Sequence, residues 1–272
     1  MTSAVESKSR AQSIWTTSFS FSLGWLLPAA ALVVLISAWQ AVATLGGFST
    51  LILPAPTDVA AATKEFSGEL TSATWTTLYE TLVGFAVAVA VAIPFAVLVV
   101  EWPTFSRTFY PVLLLLQAVP KVAMAPVLII WMGFGEGPKI VIAALSCFFP
   151  VFLDTVAGLQ STSKDHLDLL RSLRASRLRT LRKLRIPHAL PQIFVGLKVG
   201  ITFAVIGAVV AEFVQSNEGL GYLILVSSTQ ARTDLAFASM VLLAIISIVL
   251  FYLIEALERL LIPWAEHKVK QE

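Results

Sequence analysis

Residues 164–191 read KDHLDLLRSLRASRLRTLRKLRIPHALP. Of the chain's 19 Lys and Arg, eight lie between Lys164 and Arg185, and apolar runs flank the stretch on both sides. Charged side chains are costly inside lipid, so this stretch lies outside it. Its leucines are ordered. Leu167, Leu170 and Leu173 are spaced by three, as are Leu178, Leu181 and Leu184, and a step of five separates the two sets. Each set marks one face of a helix, and the five-residue step breaks the phase. The spacing predicts two short amphipathic helices over 165–173 and 177–185, with a turn at Arg174, Ala175 and Ser176. Ser176 suits the N-cap of the second helix. Pro187 should end that helix, and Pro191 should mark the start of the next apolar segment. The leucine face needs burial against the protein's own span ends, lipid or a partner.

The 272 residues are 57% hydrophobic and 13% charged. Soluble domains carry about 25% charged residues, so the composition is that of an integral membrane protein. A bilayer core of about 30 Å needs about 20 helical residues. Six stretches qualify, at about 23–45, 78–100, 109–133, 139–158, 193–214 and 236–257. The first is too long for a signal-peptide core of about 7–15 residues, so it is read as a retained span. The expected fold is all-α, with six transmembrane helices and a two-helix loop, 164–187, between the fourth and fifth. Short cytoplasmic loops are rich in Lys and Arg. The basic loop is therefore assigned to the cytoplasm, and six spans put both termini there. Lys8 and Arg10 in segment 1–22, and Lys268 and Lys270 in segment 263–272, agree with this. Lys139, at the outer end of span four, is a mild exception.

After span one, LILPAPTDVAAATKEFSGEL predicts a short external helix over about 57–66, capped by Thr57 and ended near Gly68. Prolines at 28, 94, 120, 126 and 150 fall inside spans, where each should bend or break its helix. VPKVAMAP, with Pro120 and Pro126, is the clearest such point. Gly219, Leu220 and Gly221 predict a tight external turn before Tyr222. Charges within spans are functional candidates. Lys121 lies about 12 residues into span three, near mid-membrane. Glu212 lies near the outer end of span five. Glu80, Asp154 and Lys198 lie near span ends and are read as structural. Cys147 sits alone in an apolar run, as a small buried hydrophobe. His166, His188 and His267 are dispersed, read as surface residues. The sequence contains no phosphate-binding GxxxxGK[ST], no HExxH and no GxSxG.

Residues 168–187 resemble the cytoplasmic coupling motif of permease subunits of ATP-binding cassette importers. That motif runs Glu-Ala-Ala, three residues, Gly, then about nine residues to Ile/Leu-x-Leu/Ile-Pro. Asp168, Leu169 and Leu170 stand where Glu-Ala-Ala is usual, and Leu184, Ile186 and Pro187 match the ending. Arg174 replaces the Gly. A left-handed turn there costs an Arg on the order of 1 kcal/mol, unless the turn changes shape. LPAPTDV, PKVAMAPVLIIWMGFGEGPK, FFPVFLDTVAGL and VVAEFVQSNEGLGYLI extend the likeness to the subgroup for nitrate, sulfonate, taurine, and thiamine- or riboflavin-related substrates.

The resemblance implies a permease domain over 23–262 in a bacterial inner membrane. It implies no catalytic or metal residues and no cofactor bound by this chain, since ATP is used by a partner subunit. It implies as partners cytoplasmic ATP-binding subunits, a second permease copy or paralogue and an extracytoplasmic solute-binding protein, alongside membrane lipid. Asp168, Leu169, Leu170, Leu173, Arg174, Leu178, Leu184, Ile186 and Pro187 are the expected ATPase-coupling residues. Lys121, Glu212, Gly219 and Gly221 are the candidates for the path or its outer gate. Two rivals stand beside this reading. One is a secondary transporter, which needs carboxylates near mid-membrane. The other is a scaffold whose basic loop binds anionic lipid.

Overall fold

The computed structural model describes residues 27–264. Residues 23–26 of the first predicted span, Lys8, Arg10, His267, Lys268 and Lys270 lie outside the described residues. Helix α1 (Leu27–Leu45) is apolar around most of its circumference. It touches the rest of the molecule chiefly at one end. There Trp39 Nε1 donates to Pro54 O at 3.1 Å and the Trp39 ring packs 5.9 Å from Phe237.

The outer segment forms α2 (Pro56–Glu65), followed after one residue by α3 (Ser67–Glu101). Two details differ from the sequence reading. Thr57 lies inside α2, and the cap residue is Ala55, whose N–H donates to Asp58 Oδ2 at 3.1 Å. Pro56 starts the helix because its missing N–H is one the first turn leaves unbonded anyway. Gly68 does not stop a helix but belongs to the first turn of α3.

The predicted third span is two helices, α4 (Pro103–Gln117) and α5 (Lys121–Met132), bent by 98° at the break. The described residues thus hold five helices able to cross a membrane, or six if this pair counts as one broken span. Pro120 makes the break. It has no N–H and holds Val119 out of the helical region. The Ala118 and Val119 N–H groups turn back to Leu115 O and Leu116 O. Pro94, Pro126 and Pro150 lie inside helices that run on through them, so none of the three breaks its helix. Non-polar surroundings leave a helix no better partner for its remaining backbone groups than itself.

The centre of the bundle is α6 (Glu136–Gln160) packed along α9 (Ile186–Gln215), with α3 against α6. Lipid offers helices no hydrophobic gain from pairing, so contact depends on small residues that let backbones approach. On α3 these are Ala73, Thr77, Thr81, Gly84, Ala88, Ala92 and Ala96, all buried and about four residues apart. On α9 they are Gly196, Gly200, Ala204 and Ala208. A Cβ at Gly200 would lie 2.7 Å from Val151 Cγ2, and one at Gly196 would lie 2.6 Å from Asp154 Cβ. Beyond α9, a short apolar helix α10 (Leu220–Thr229) returns against the bundle and leads into α11 (Thr233–Leu261).

Gly200→Val should destabilise the fold by about 1–3 kcal/mol, because the helices must separate or the valine must leave its preferred rotamer. Gly68→Ala is the control, since its Cβ would meet nothing within 4 Å. Thermal unfolding in one detergent should show a clear fall in midpoint for the first and none for the second. Equal midpoints would contradict close packing at Gly200.

Candidate functional site

The basic stretch folds as α7 (Lys164–Ser172) and α8 (Arg177–Thr180), followed by one π-helical turn, Leu181–Arg185. The turn between α7 and α8 is a Schellman motif. Arg174 N–H donates to Arg171 O at 2.9 Å and Ala175 N–H donates to Leu170 O at 3.0 Å. Arg174 itself has φ +52°. The left-handed conformation that would suit glycine is therefore kept with arginine in it. Ala231 holds the corresponding position after α10, at φ +58°. Ser176 caps α8 as expected, its Oγ accepting Arg179 N–H at 3.3 Å.

Pro187 does not end the second helix. Ile186 N–H bonds to Leu181 O across the π turn, and the helix continues into α9. Together they form an unbroken helical run from Arg177 to Val214, 38 residues long. The widened turn comes just before Pro187, where a regular turn would press Lys183 O against the proline ring. Pro191 likewise lies within α9.

The six patterned leucines do not share one environment. Leu181 is buried with Leu159, Ala189 and Ile193. Leu173 and Leu178 are 67% and 56% exposed, and their neighbour Leu169 is 57% exposed. Leu170, Leu184, Ile186 and Pro187 are half-buried. Asp168 is exposed and pairs with Arg171 at 2.9 Å. Arg185 anchors the π turn to the end of α3 through Glu101 at 2.9 Å.

A buried polar cluster lies at the opposite end of the bundle. Glu212 on α9 sits against the first turn of α10. Gly221 N–H donates to Glu212 Oε2 at 2.6 Å, and Thr77 Oγ1 lies 2.6 Å from Glu212 Oε1. The same Thr77 oxygen accepts Leu220 N–H at 2.9 Å. Glu212 thus supplies an acceptor for the N–H groups that the first turn of a helix leaves unbonded. Gly219, at φ +103°, is required here, since a Cβ would fall 2.2 Å from Glu212 Oε1. Gly219, Leu220 and Gly221 therefore begin a helix rather than forming a free turn. Glu80 pairs with Lys139, and Lys139 Nζ also donates to Ser216 Oγ at 3.2 Å.

Lys121 opens α5. Its Nζ donates to Gln117 O at 3.2 Å and lies 5.6 Å from the Phe149 ring centroid. It lines a cavity of about 260 Å³ together with Phe149, Pro150, Phe203 and Ile206. Those residues lie at the middles of α6 and α9. The other span charges are tied to neighbours. Gln192 Nε2 donates to Asp154 Oδ1 at 2.6 Å, and Lys198 pairs with Glu258 at 2.8 Å. Among the described residues, no three His, Cys, Asp or Glu side chains gather as a metal site requires.

Residues 88–267 match the family of binding-protein-dependent transport system inner membrane components. The chain belongs to this family. It is the membrane-spanning permease of a binding-protein-dependent ABC importer, a transport subunit rather than an enzyme. Among its relatives is a probable ABC transporter permease of Haemophilus influenzae, 38% identical over 82% of this chain and 91% of that one. The riboflavin transport system permease of Chloroflexus aurantiacus is 37% identical, over 86% and 88%. The taurine transport system permease of Escherichia coli is 32% identical, over 86% and 87%. The inward-facing MetNI methionine ABC transporter shares the fold, with TM-score 0.64 and 19% identity, over 72% of this chain and 97% of that chain.

In this permease, Glu212, Gly219 and Gly221 meet at one cluster, while Lys121 stands apart, deeper in the bundle. Sequence reasoning passed over Thr77 and read Lys139 only as a topological exception. Thr77 carries no charge, but its place in the four-residue stripe of α3 opposite Glu212 is a signal a helical wheel would reveal. The left-handed turn generates a local test. Arg174→Val should speed amide exchange at 174 and 175 about tenfold, since β-branched side chains fit that conformation worst. Arg174→Gly should exchange no faster than the natural protein. Equal rates in all three would contradict the strained turn.

Proposed function

We propose that this permease works as one of a pair, either two copies or a copy and a paralogue, around a shared solute path. The coupling element 164–187 faces the cytoplasm, as do both termini, in a bacterial inner membrane. It receives separate ATP-binding subunits. The chain has no ATPase site and binds no cofactor of its own. A solute-binding protein delivers substrate at the opposite face. The carrying observation is the exposure of Leu169 and Leu173 on α7, which lies outside every candidate span, and of Leu178 at the very start of the Arg177–Val214 run. Three exposed leucines around one turn form a patch that a protein cleft would bury. Asp168 and Arg174 stand at the same surface and supply polar contacts. Leu170, Leu184, Ile186 and Pro187 join that surface to the body.

The substrate is a small anion or a vitamin-related heterocycle, as the taurine and riboflavin permeases among the relatives indicate. The cavity at Lys121 favours the first class. An ammonium over the Phe149 ring, in a cavity that Phe203 also lines, attracts an anionic group and leaves apolar surface for the rest of the solute. Glu212, Gly219 and Gly221 hold α10 at the outer end, where the path opens.

Replacing Leu173 or Leu178 with Asp should weaken ATPase docking by about tenfold or more, from lost burial of about 1.5–3 kcal/mol. Uptake into proteoliposomes should fall accordingly, and hydrolysis should no longer respond to loaded binding protein. Unchanged coupled transport would reject the coupling role. Lys121→Met should raise the KM for uptake several-fold with assembly intact. A variant that loses only thermal stability, with unchanged uptake kinetics, would make Lys121 structural.

A further inference from the structure

Between the coupling element and the elbow that joins α3 to α4 lies a cavity of about 400 Å³. Arg171, Arg177 and Arg185 line it, with Thr180 and a single carboxylate, Glu101. Arg171 is paired with Asp168 and Arg185 with Glu101, so the positive excess of the site is the guanidinium of Arg177. Arg177 pairs with no acid among the described residues. Arg185 spends one nitrogen on Glu101, but its Nε is buried and finds no acceptor among the described residues.

A second cavity, of about 280 Å³, adjoins the first and shares Glu101 and Arg177 with it. Its walls are Val97, Leu98, Trp102 and Leu181, with Leu178 at the rim. Trp102 is 54% exposed at the turn between two membrane helices. Tryptophan in such a position sits at headgroup level. A basic pocket thus adjoins an apolar groove, and the exposed Trp102 of that groove is a residue type that favours the headgroup level.

We propose that this pair of cavities binds an anionic glycerophospholipid. Its phosphate lies among Arg171, Arg177 and Arg185, and one acyl chain runs over Val97, Leu98 and Leu181. Planar guanidinium groups match phosphate oxygens in paired hydrogen bonds. Continuity with the apolar groove selects a lipid over a free phosphate, which would leave Trp102 and Leu98 without a partner. The bound lipid fastens the coupling element to the elbow. The proposal builds on the permease reading but is measured without transport.

The test uses the importer complex, permease with its ATP-binding subunits, taken from membranes containing phosphatidylglycerol. Native mass spectrometry counts the retained lipid for the natural chain and for Arg171→Gln/Arg177→Gln. Assembly with the ATPase, checked by gel filtration, shows that the variant folds. Retention should fall about tenfold in the variant, and washing with inorganic phosphate should leave the lipid on the natural chain. Equal retention in both proteins overturns the site. Displacement by inorganic phosphate overturns the lipid assignment in favour of free phosphate. Lipid present on the permease alone but lost when the ATPase docks shows the cavities to be part of the ATPase contact, and also overturns it. Loss of coupling in Leu173→Asp bears on the permease reading alone.

Discussion

The unbroken helix from Arg177 to Val214 constrains everything around it. At 1.5 Å per residue it spans roughly 55 Å, more than the bilayer core. One end is the second helix of the coupling element. The other carries Glu212, which caps α10. A backbone with no break between these points moves both ends together. The π turn at Leu181–Arg185 is where such a rod would be expected to flex. It is braced instead: Leu181 is buried against Leu159 and Ile193, and Arg185 holds Glu101. Small residues on α9 then seat the rod closely on α6. Under the proposed coupling, motion received at the leucines is passed to the whole central pair.

The charges within the spans divide by how fully they are bonded. Glu80 with Lys139, Lys198 with Glu258, and Asp154 with Gln192 each join two helices. Removing one member of a buried ion pair leaves the other uncompensated, at a cost of about 3–5 kcal/mol. These pairs fix which helices are neighbours. Glu212 is different, because its hydrogen-bond partners are the Gly221 N–H of α10 and the hydroxyl of Thr77. It holds a helix end, and a helix end can be released without separating two unlike charges. Lys121 is the least committed, bonded to one carbonyl and lying over one ring.

Much of this was legible in the sequence. The step of five between Leu173 and Leu178 gave the break between α7 and α8, and Ser176 gave the cap. Spans two, four, five and six follow from apolar length alone. The family likeness was carried by short motifs in the right order, despite Arg174 at the usual glycine. Other features were hidden for physical reasons. Proline is ambiguous in an apolar environment. Pro120 breaks its helix, while Pro94, Pro126 and Pro150 do not, and Pro187 follows a π turn that periodicity cannot foresee. The leucine stripes were read as one face, yet Leu181 points to the protein's own core and Leu178 does not. That split depends on where α9 begins, which is tertiary information. The cap on α10 needed Thr77 and Glu212 brought together across 135 positions.

Rigid transmission along one helix is the central claim, and a pair of spin labels measures it directly. One label replaces Arg179 on α8 and the other replaces Phe213 near the far end of α9, in a complex with a single doubly labelled permease. Pulsed electron resonance then reads the distance between them in nucleotide-free and ATP-trapped importer. The account predicts the same distance in both states. A parallel sample, labelled at Arg179 on both permeases, should show that distance change with nucleotide. A nucleotide-dependent change between 179 and 213 within one chain would contradict it, because the π turn would then be a hinge.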